Sequence, residues 1–290
     1  MITDQLPSFN QVATGSEGTL DLDLGNLYRE IWIKADVAAG DKTHDQIITD
    51  IRVVVNGNDQ RQHTTLQLDG INTLHDPDQG IKTSGSIGGS NLVSYIPIFF
   101  AENFRKNVER GLALGWNAVG IRSLQLKVQV ALGLTTPRLS SWGTWDNGDL
   151  SRGLGPITKW KRQDLDAVGT PKDFQKVFDI GGDLDNFLQS VHFFPTSTGT
   201  QRYVTEAELK FNDRIRFKRT AEQNQSVLSS KSMSPDLGAA PRFDLVFDES
   251  DSINDLVNLR TVTKQNTKLT FDGAPNGNLP VISLETGPVQ

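Results

Sequence analysis

Polar and apolar residues alternate along much of this chain, which is the pattern of half-buried β-strands. In Leu124–Val130, leucine and valine alternate with glutamine and lysine, and the same two-residue period occurs at Leu20–Leu24, Arg214–Lys218 and Phe243–Phe247. Further strands are predicted at Leu27–Lys34, Ile48–Val55, Val93–Phe99, Phe187–Phe194, Val204–Phe211, Leu259–Thr263, Lys268–Phe271 and Pro280–Leu284. The pattern therefore predicts a nearly all-β protein.

Turn residues separate these strands, and helices are few. Asn-Gly or Asp-Gly pairs, which accept the positive φ of tight turns, begin at Asn56, Asn147, Asp272 and Asn276. Short helices are predicted at Thr64–Leu74, Ala101–Glu109 and Thr220–Ser230, the last with Thr220 and Gln223 as a capping box. Many strands with a few helices in their connections indicate two tandem jelly rolls of the eight-stranded type.

The two halves of the chain repeat one order of elements. Ile48–Leu74 and Val204–Leu228 each contain an alternating strand, an Asn/Asp turn, a polar return and a helix that begins at threonine. The stretch from Gly133 to Pro156 is rich in Gly, Ser, Thr and Pro and indicates a boundary. We expect an N-terminal arm (1–18), a first jelly roll (19–135), an ordered connection (136–156) and a second jelly roll (157–290).

Composition excludes several classes of protein. None of the 290 residues is cysteine, so a disulfide framework, a thiolate metal site and a cysteine nucleophile are excluded. The net charge of −6 argues against a polyanion-binding surface, and no direct nucleic-acid binding is expected. Met1–Gln11 has no secretory signal pattern, and no apolar run approaches the roughly 20 residues of a membrane-spanning helix.

No catalytic, cofactor-binding or metal-ligating residue is predicted. His44, His63, His75 and His192 show no metal-ligand spacing, so they are interpreted as solvated or hydrogen-bonded side chains. Ser84–Ser90 is glycine-rich but lacks the lysine of a phosphate-binding loop, and no Ser–His–Asp order is evident. The protein is therefore not expected to be an enzyme.

Two acidic loops leave a structural calcium ion open as an alternative. They contain Asp76 and Asp78 in the first half, and Asp248, Glu249 and Asp251 in the second. Oxygen-rich loops can hold calcium, but neither has the ligand spacing of an EF-hand. Solvated acidic loops are the preferred interpretation.

Tryptophan keeps a carbohydrate-binding or carbohydrate-cleaving β-sandwich open as an alternative function. Trp142 with Trp145, or Trp32 with Trp160, could form a platform for sugar rings, although Trp32 is expected in the core. A virion spike protein is a second alternative.

Three segments resemble the major capsid proteins of tailless, membrane-containing icosahedral bacteriophages of the corticovirus type. They are Leu27–Val37 with Ile48–Asn58, then Leu112–Val130, and then Val204–Asn224. The resemblance covers most of the chain through its pattern of strands and bends, without a single diagnostic motif.

The resemblance implies a structural coat protein with two jelly rolls per chain. Three chains would form a trimer of six barrels, a pseudo-hexagonal tile that contacts neighbouring capsomers in the virion shell after assembly in the bacterial cytoplasm. The shell of this family surrounds a lipid bilayer, so Met1–Gly18 is expected to face the membrane or a neighbouring tile. Contacts with other virion proteins are expected too, and the long loops Asp76–Asn91 and Trp142–Leu154 are predicted as interface segments.

Overall fold

The structure, a computed structural model, divides the chain into two units. Unit 1 comprises Met1–Thr158 with Pro288–Gln290, and unit 2 comprises Lys159–Gly287. The structure describes residues 1–38, 46–84, 91–102, 115–148, 154–166, 173–176, 185–194, 203–237, 242–247, 255–273 and 278–289.

Unit 1 consists of two antiparallel sheets and one α-helix. Its elements are β1 (Ile2–Gln5), β2 (Glu17–Asp21), β3 (Asn26–Ala38), β4 (Ile48–Val55), β5 (Asn58–His63), α1 (Thr65–His75), β6 (Lys82–Ser84), β7 (Asn91–Phe99), β8 (Trp116–Asn117), β9 (Leu124–Val130) and β10 (Arg138–Asn147). One sheet has the order β1-β10-β3-β7-β6, with β8 paired to β3, and the other has the order β2-β9-β4-β5. Alternate residues of both sheets, such as Ile33 and Val53, are completely buried and form the core.

Unit 2 repeats this construction. Its elements are β11 (Ile157–Asp166), β12 (Asp173–Lys176), β13 (Phe187–Phe193), β14 (Val204–Phe211), β15 (Arg214–Thr220), α2 (Ala221–Ser230), β16 (Phe243–Val246), β17 (Val257–Asn258), β18 (Gln265–Phe271) and β19 (Asn278–Gly287). The sheets are β11-β19-β13-β16, with β17 paired to β13, and β12-β18-β14-β15. Leucine, valine and phenylalanine side chains from both sheets fill one core, among them Leu188, Leu209 and Phe271.

The two units have the same topology. When β6, β8 and β17 are set aside, each unit has eight strands, which can be numbered in chain order. One sheet of each unit then has the order 1-8-3-6 and the other has the order 2-7-4-5. This is the strand order of a jelly roll, so the prediction of a double jelly roll is confirmed.

An asparagine at the turn between the fourth and fifth strands performs the same task in both units. Asn56 (φ 51°) and Asn212 (φ 50°) lie in the left-handed region, which asparagine tolerates. The Asn56 Oδ1 accepts hydrogen bonds from the amides of Arg122 (2.7 Å) and Ser123 (3.3 Å), just before β9.

In unit 2, the Asn212 Oδ1 accepts hydrogen bonds from the amides of Thr263 (2.8 Å) and Lys264 (3.1 Å), just before β18. The backbone N–H of Asn56 also donates to the Ser123 carbonyl, and that of Asn212 donates to the Lys264 carbonyl. Because one hydrogen-bond pattern recurs at the same place in both units, the repeat extends to individual atoms.

The helices repeat as well, and both begin as predicted. Thr64 and Thr220 each cap a helix, with Gln67 and Gln223 completing a capping box. A buried asparagine then links each helix to a strand of the sheet by a hydrogen bond. Asn72 Nδ2 of α1 donates to the Pro97 carbonyl of β7 (3.2 Å), and Asn224 Nδ2 of α2 donates to the Asp244 carbonyl of β16 (2.7 Å).

Three segments differ from the sequence interpretation. Ile2–Gln5, expected in an arm, forms β1, and Leu6 and Phe9 after it are each only 7% exposed. Arg138–Asn147, expected in the connection, is the last strand of unit 1. Leu259–Thr261, expected in a strand, forms a 3-10 helix because the Asn258 side chain caps it by accepting from the Arg260 amide.

Candidate assembly surfaces and buried polar networks

Aromatic side chains cover the outward face of the first sheet of unit 1. Ile31 and Ile33 of β3 point into the core, so Trp32 between them points outward. Trp142 of β10 is the cross-strand partner of Trp32, and Pro97 of β7 lies on its other side. The three residues therefore form one row across the sheet.

The rings of this row contact each other and two neighbours. The indoles of Trp32 and Trp142 are stacked, with centroids 6.0 Å apart and an interplanar angle of 3°. Tyr95 meets Trp142 edge-on at 5.9 Å, and Phe99 meets Trp32 edge-on at 6.3 Å. All four rings are half-buried, so part of each ring remains accessible. We call Trp32, Tyr95, Phe99 and Trp142 the aromatic face.

Charged side chains instead mark the four-stranded sheet of unit 2 that contains β14 and β15. The Glu208 carboxylate lies between the ammonium groups of Lys210 (2.7 Å) and Lys218 (3.1 Å). Both lysines hold the pKa of the Glu208 carboxyl below its usual range, and Lys210 has the larger effect. Glu208 correspondingly raises the pKa of Lys218. Such accessible pairs contribute little stability, and this surface suits contact with water.

Sequence reasoning missed a Ser–His–Asp chain, which the structure assembles in unit 2. The Ser190 hydroxyl donates to Nε2 of His192 (2.8 Å), and Nδ1–H of His192 donates to the Asp244 carboxylate (2.7 Å). Nε of Arg242 donates to the same carboxylate oxygen at 2.5 Å. The residues come from two neighbouring strands, where His192 is paired with Asp244 across 52 positions of sequence.

Burial controls the protonation of this chain of hydrogen bonds. His192 is 0% and Asp244 1% exposed. Burial lowers the pKa of His192, although its bond to Asp244 acts in the opposite direction, so the imidazole is held neutral. Burial alone would raise the pKa of Asp244, but Arg242 and His192 outweigh it and hold the carboxyl ionised. The arrangement resembles a hydrolase triad, yet Ser190 is only 2% exposed and cannot reach a substrate in solution.

A buried arginine in unit 1 connects two backbone segments through hydrogen bonds. Arg61 is 2% exposed, and its guanidinium donates to the carbonyls of Thr158 (2.8 Å) and Phe99 (2.5 Å). It also lies 5.0 Å from the ring centroid of Trp116. Burial lowers the pKa of Arg61 to about 9, and the Glu102 carboxylate limits that decrease.

The remaining residues singled out in the sequence do not converge on one site. His63 is buried at the end of β5, His75 ends α1, and His44 lies outside the described residues. Trp145 packs against the buried Tyr28, while Trp160 is 6% exposed. Trp142, which the sequence paired with Trp145 in a possible sugar platform, instead stacks on Trp32, and Trp32, expected in the core, lies on the outward face.

The acidic loops form no cluster in the part of the chain that the structure describes. Asp76 Oδ1 accepts from the Asp78 amide and so begins a short 3-10 helix. Asp248, Glu249 and Asp251 lie outside the described residues. Within the described ranges, no group of three or more His, Asp or Glu side chains is placed to hold a metal ion. The predicted interface loops are described only in part, since residues 85–90 and 149–153 fall outside those ranges.

Comparison with known proteins assigns the family. Residues 3–146 match the family model of the viral coat protein P2 N-terminal domain. The N-terminal half of the chain is a viral coat protein domain of this family. The sequence prediction of a capsid protein located in the virion shell is therefore confirmed. No curated protein matches the chain in sequence.

Solved structures show the same fold over the whole coat protein. The crystal structure of the major capsid protein P2 from bacteriophage PM2 matches with a TM-score of 0.80 and 15% identity, covering 100% of this chain and 98% of that one. The STIV major capsid protein matches with a TM-score of 0.70 and 12% identity, covering 98% and 96%. The PBCV-1 virus capsid matches with a TM-score of 0.67 and 11% identity, covering 98% and 92%. Both jelly rolls are thus common to these coat proteins.

Proposed function

We propose that this coat protein assembles as a homotrimer whose six jelly rolls form a pseudo-hexagonal capsomer of an icosahedral shell around an internal membrane. The observation that carries the proposal is the repeat of one eight-stranded topology, down to the turn asparagines, in both units. Two equivalent barrels per chain allow three chains to occupy a position with sixfold character. The resemblance to membrane-containing phage capsid proteins supports the shell and its membrane.

The proposed role is structural and requires no catalytic step. Ser190, His192 and Asp244 have the order of a triad, but each is at most 2% exposed, which suits a group that holds two strands together. No helix in the described part of the chain is long and apolar enough to cross a bilayer.

The proposal does not include a free N-terminal arm. Ile2–Gln5 pairs with β10 along Trp142–Trp145, which fixes the segment to the sheet. A role for residues 1–18 at the membrane would require that strand to leave its place, so we assign the segment to the fold of unit 1.

Electron microscopy and sedimentation of the purified full-length chain test the proposal. We expect particles of three times the chain mass and, under assembly conditions, hexagonal tiles or closed shells. A chain that remains monomeric over the micromolar range, where coat subunits associate, would contradict it.

A carbohydrate-binding function is the second candidate, and the accessible stack of Trp32 and Trp142 is the observation that favours it. Glycan-array binding by the full-length chain, lost in Trp142→Ala, would support that function. Binding to no glycan would leave the aromatic face to a protein partner.

A further inference from the structure

We propose that the aromatic face of unit 1 is the surface against which a second copy of this chain docks. The inference rests on the proposed function, because it names the partner surface that a ring of coat subunits requires. The supporting observation is that this face is more exposed than the equivalent face of unit 2.

The equivalent faces are defined by the repeated topology. The outward row Trp142–Trp32–Pro97 lies on the eighth, third and sixth strands of unit 1. On the same three strands of unit 2, the outward row is Ile282–His192–Asp244. Val191 and Phe193, which flank His192, belong to the core, so this row also points away from the core.

Exposure separates the two rows. Ile282 and His192 are 0% exposed and Asp244 is 1% exposed, so this face of unit 2 is closed within the single chain. In unit 1, Trp32 and Trp142 are only half-buried, whereas Pro97, the third residue of the row, is buried. The face of unit 2 is therefore fully buried in a single chain, whereas the equivalent face of unit 1 is only partly buried.

The chemistry of the open face suits a protein interface. Its centre consists of four aromatic rings, and its rim is polar, with Glu30 accepting a hydrogen bond from Thr144 (3.0 Å) beside Trp32. Interfaces have this anatomy, and tryptophan and tyrosine dominate their binding energy. None of the four rings is among the exposed large hydrophobic residues of the described ranges, which are Met1, Ile2, Leu66 and Leu132 in unit 1 and Ile215 and Leu237 in unit 2. A second copy thus offers apolar side chains on a different surface.

A contact between two different surfaces of the same chain is head-to-tail. Such contacts form a closed ring when the rotation from one chain to the next returns to the first chain. If the aromatic face paired with its own copy, the product would be a dimer. The proposal predicts a closed ring of more than two chains.

The test compares Trp32→Gln/Trp142→Gln with the control Leu132→Gln in the full-length chain. Leu132 is 80% exposed in unit 1 and lies outside the aromatic face, so the control also removes an accessible large hydrophobic residue. Loss of interface tryptophans should weaken association by about 30-fold or more, whereas the control should associate like the wild type. Native mass spectrometry measures the oligomer, and circular dichroism checks that each variant is folded.

A second measurement needs no variant. Hydroxyl-radical footprinting of the wild-type chain should show severalfold lower oxidation of Trp32, Trp142 and Tyr95 in the oligomer than in dilute monomer, with Leu132 unchanged. If the wild type forms no oligomer, the proposed function fails. If it forms the oligomer while these rings stay equally reactive, or the double variant associates normally, this inference fails and the proposed function stands. Glycan binding at the rings without any change in association would also overturn it.

Discussion

At the scale of single residues, protonation of His192 should lower the stability of the folded chain below pH 6.5. Burial lowers its pKa in the folded chain, so the unfolded chain, with the ordinary value of 6.5, binds a proton first as the pH falls. The charged groups that face it are Asp244, which favours the protonated form, and Arg242, which opposes it. Its contribution to stability is therefore fully present above pH 6.5 and decreases below it.

We predict that the wild type loses up to about 1.4 kcal/mol of unfolding free energy per pH unit from this residue between pH 6.5 and 5. In His192→Gln, an amide that does not titrate replaces the imidazole, so this part of the pH dependence should disappear. Urea denaturation at several pH values measures both proteins. Parallel pH profiles for the wild type and the variant would contradict the prediction.

Arg61 should be the most costly charged residue to remove from unit 1. In Arg61→Met, the Phe99 and Thr158 carbonyls lose a donor and the buried Glu102 carboxylate loses a cation. We expect a loss of about 3–5 kcal/mol of unfolding free energy, which guanidinium denaturation measures. Arg61→Lys keeps the positive charge but lacks the planar guanidinium with its fixed set of donors. Its loss of unfolding free energy should therefore be intermediate. If both variants were as stable as the wild type, the network would have no structural role.

The turn asparagines should stabilise both units, and Asn212 makes a further bond from Nδ2 to the Thr261 carbonyl (2.7 Å). Asn56→Ala and Asn212→Ala each lose an acceptor for two amides and place alanine at positive φ. We expect about 2 kcal/mol of destabilisation in each case. Asn56→Gly and Asn212→Gly tolerate the backbone angle, so their smaller loss measures the side-chain bonds alone. Thermal unfolding of the four variants tests whether the repeated pattern has a repeated energetic role.

At the scale of elements, alternation identified the strands that have one buried face. Ile48–Val55 and Val204–Phe211 have the limits predicted. Buried and partly exposed residues alternate from Ala207 to Phe211, whereas Val53, Val54 and Val55 are all buried. Both capping boxes were also predictable, since threonine and glutamine lie three positions apart in each. Local sequence is sufficient where local burial determines the element.

The elements that were missed lack that signal. All four residues of β1 are exposed, so no apolar period marks it. The sequence of β10 contains serine, glycine and tryptophan and so has the composition of a loop. The strand forms because it pairs with β3, which lies more than one hundred residues earlier in the chain. The His192–Asp244 bond depends on the register of β13 with β16 in the same way. Register of this kind is set by tertiary packing, which local periodicity does not contain.

The N-terminal strand yields a prediction about an element. Removing residues 1–9 would leave the edge of β10 that faces β1 unpaired along Trp142–Trp145, while its pairing with β3 would remain. It would also remove the buried side chains of Leu6 and Phe9. We expect a lower melting temperature and aggregation through the freed strand edge, measured by calorimetry and light scattering. Unchanged melting and normal particle assembly would instead support the free arm that the sequence suggested.

At the scale of the whole molecule, assembly and stability should be linked, because the proposed trimer binds only folded chains. For three folded chains in equilibrium with unfolded monomers, a tenfold rise in concentration adds about 0.9 kcal/mol per chain. In a protein of this size that should raise the melting temperature by roughly 2 °C. A monomer would show no dependence on concentration. Trp32→Gln/Trp142→Gln should lose the dependence, and Leu132→Gln should keep it. Scanning calorimetry over two decades of concentration would thus connect the accessible rings of unit 1 to the assembly of the coat.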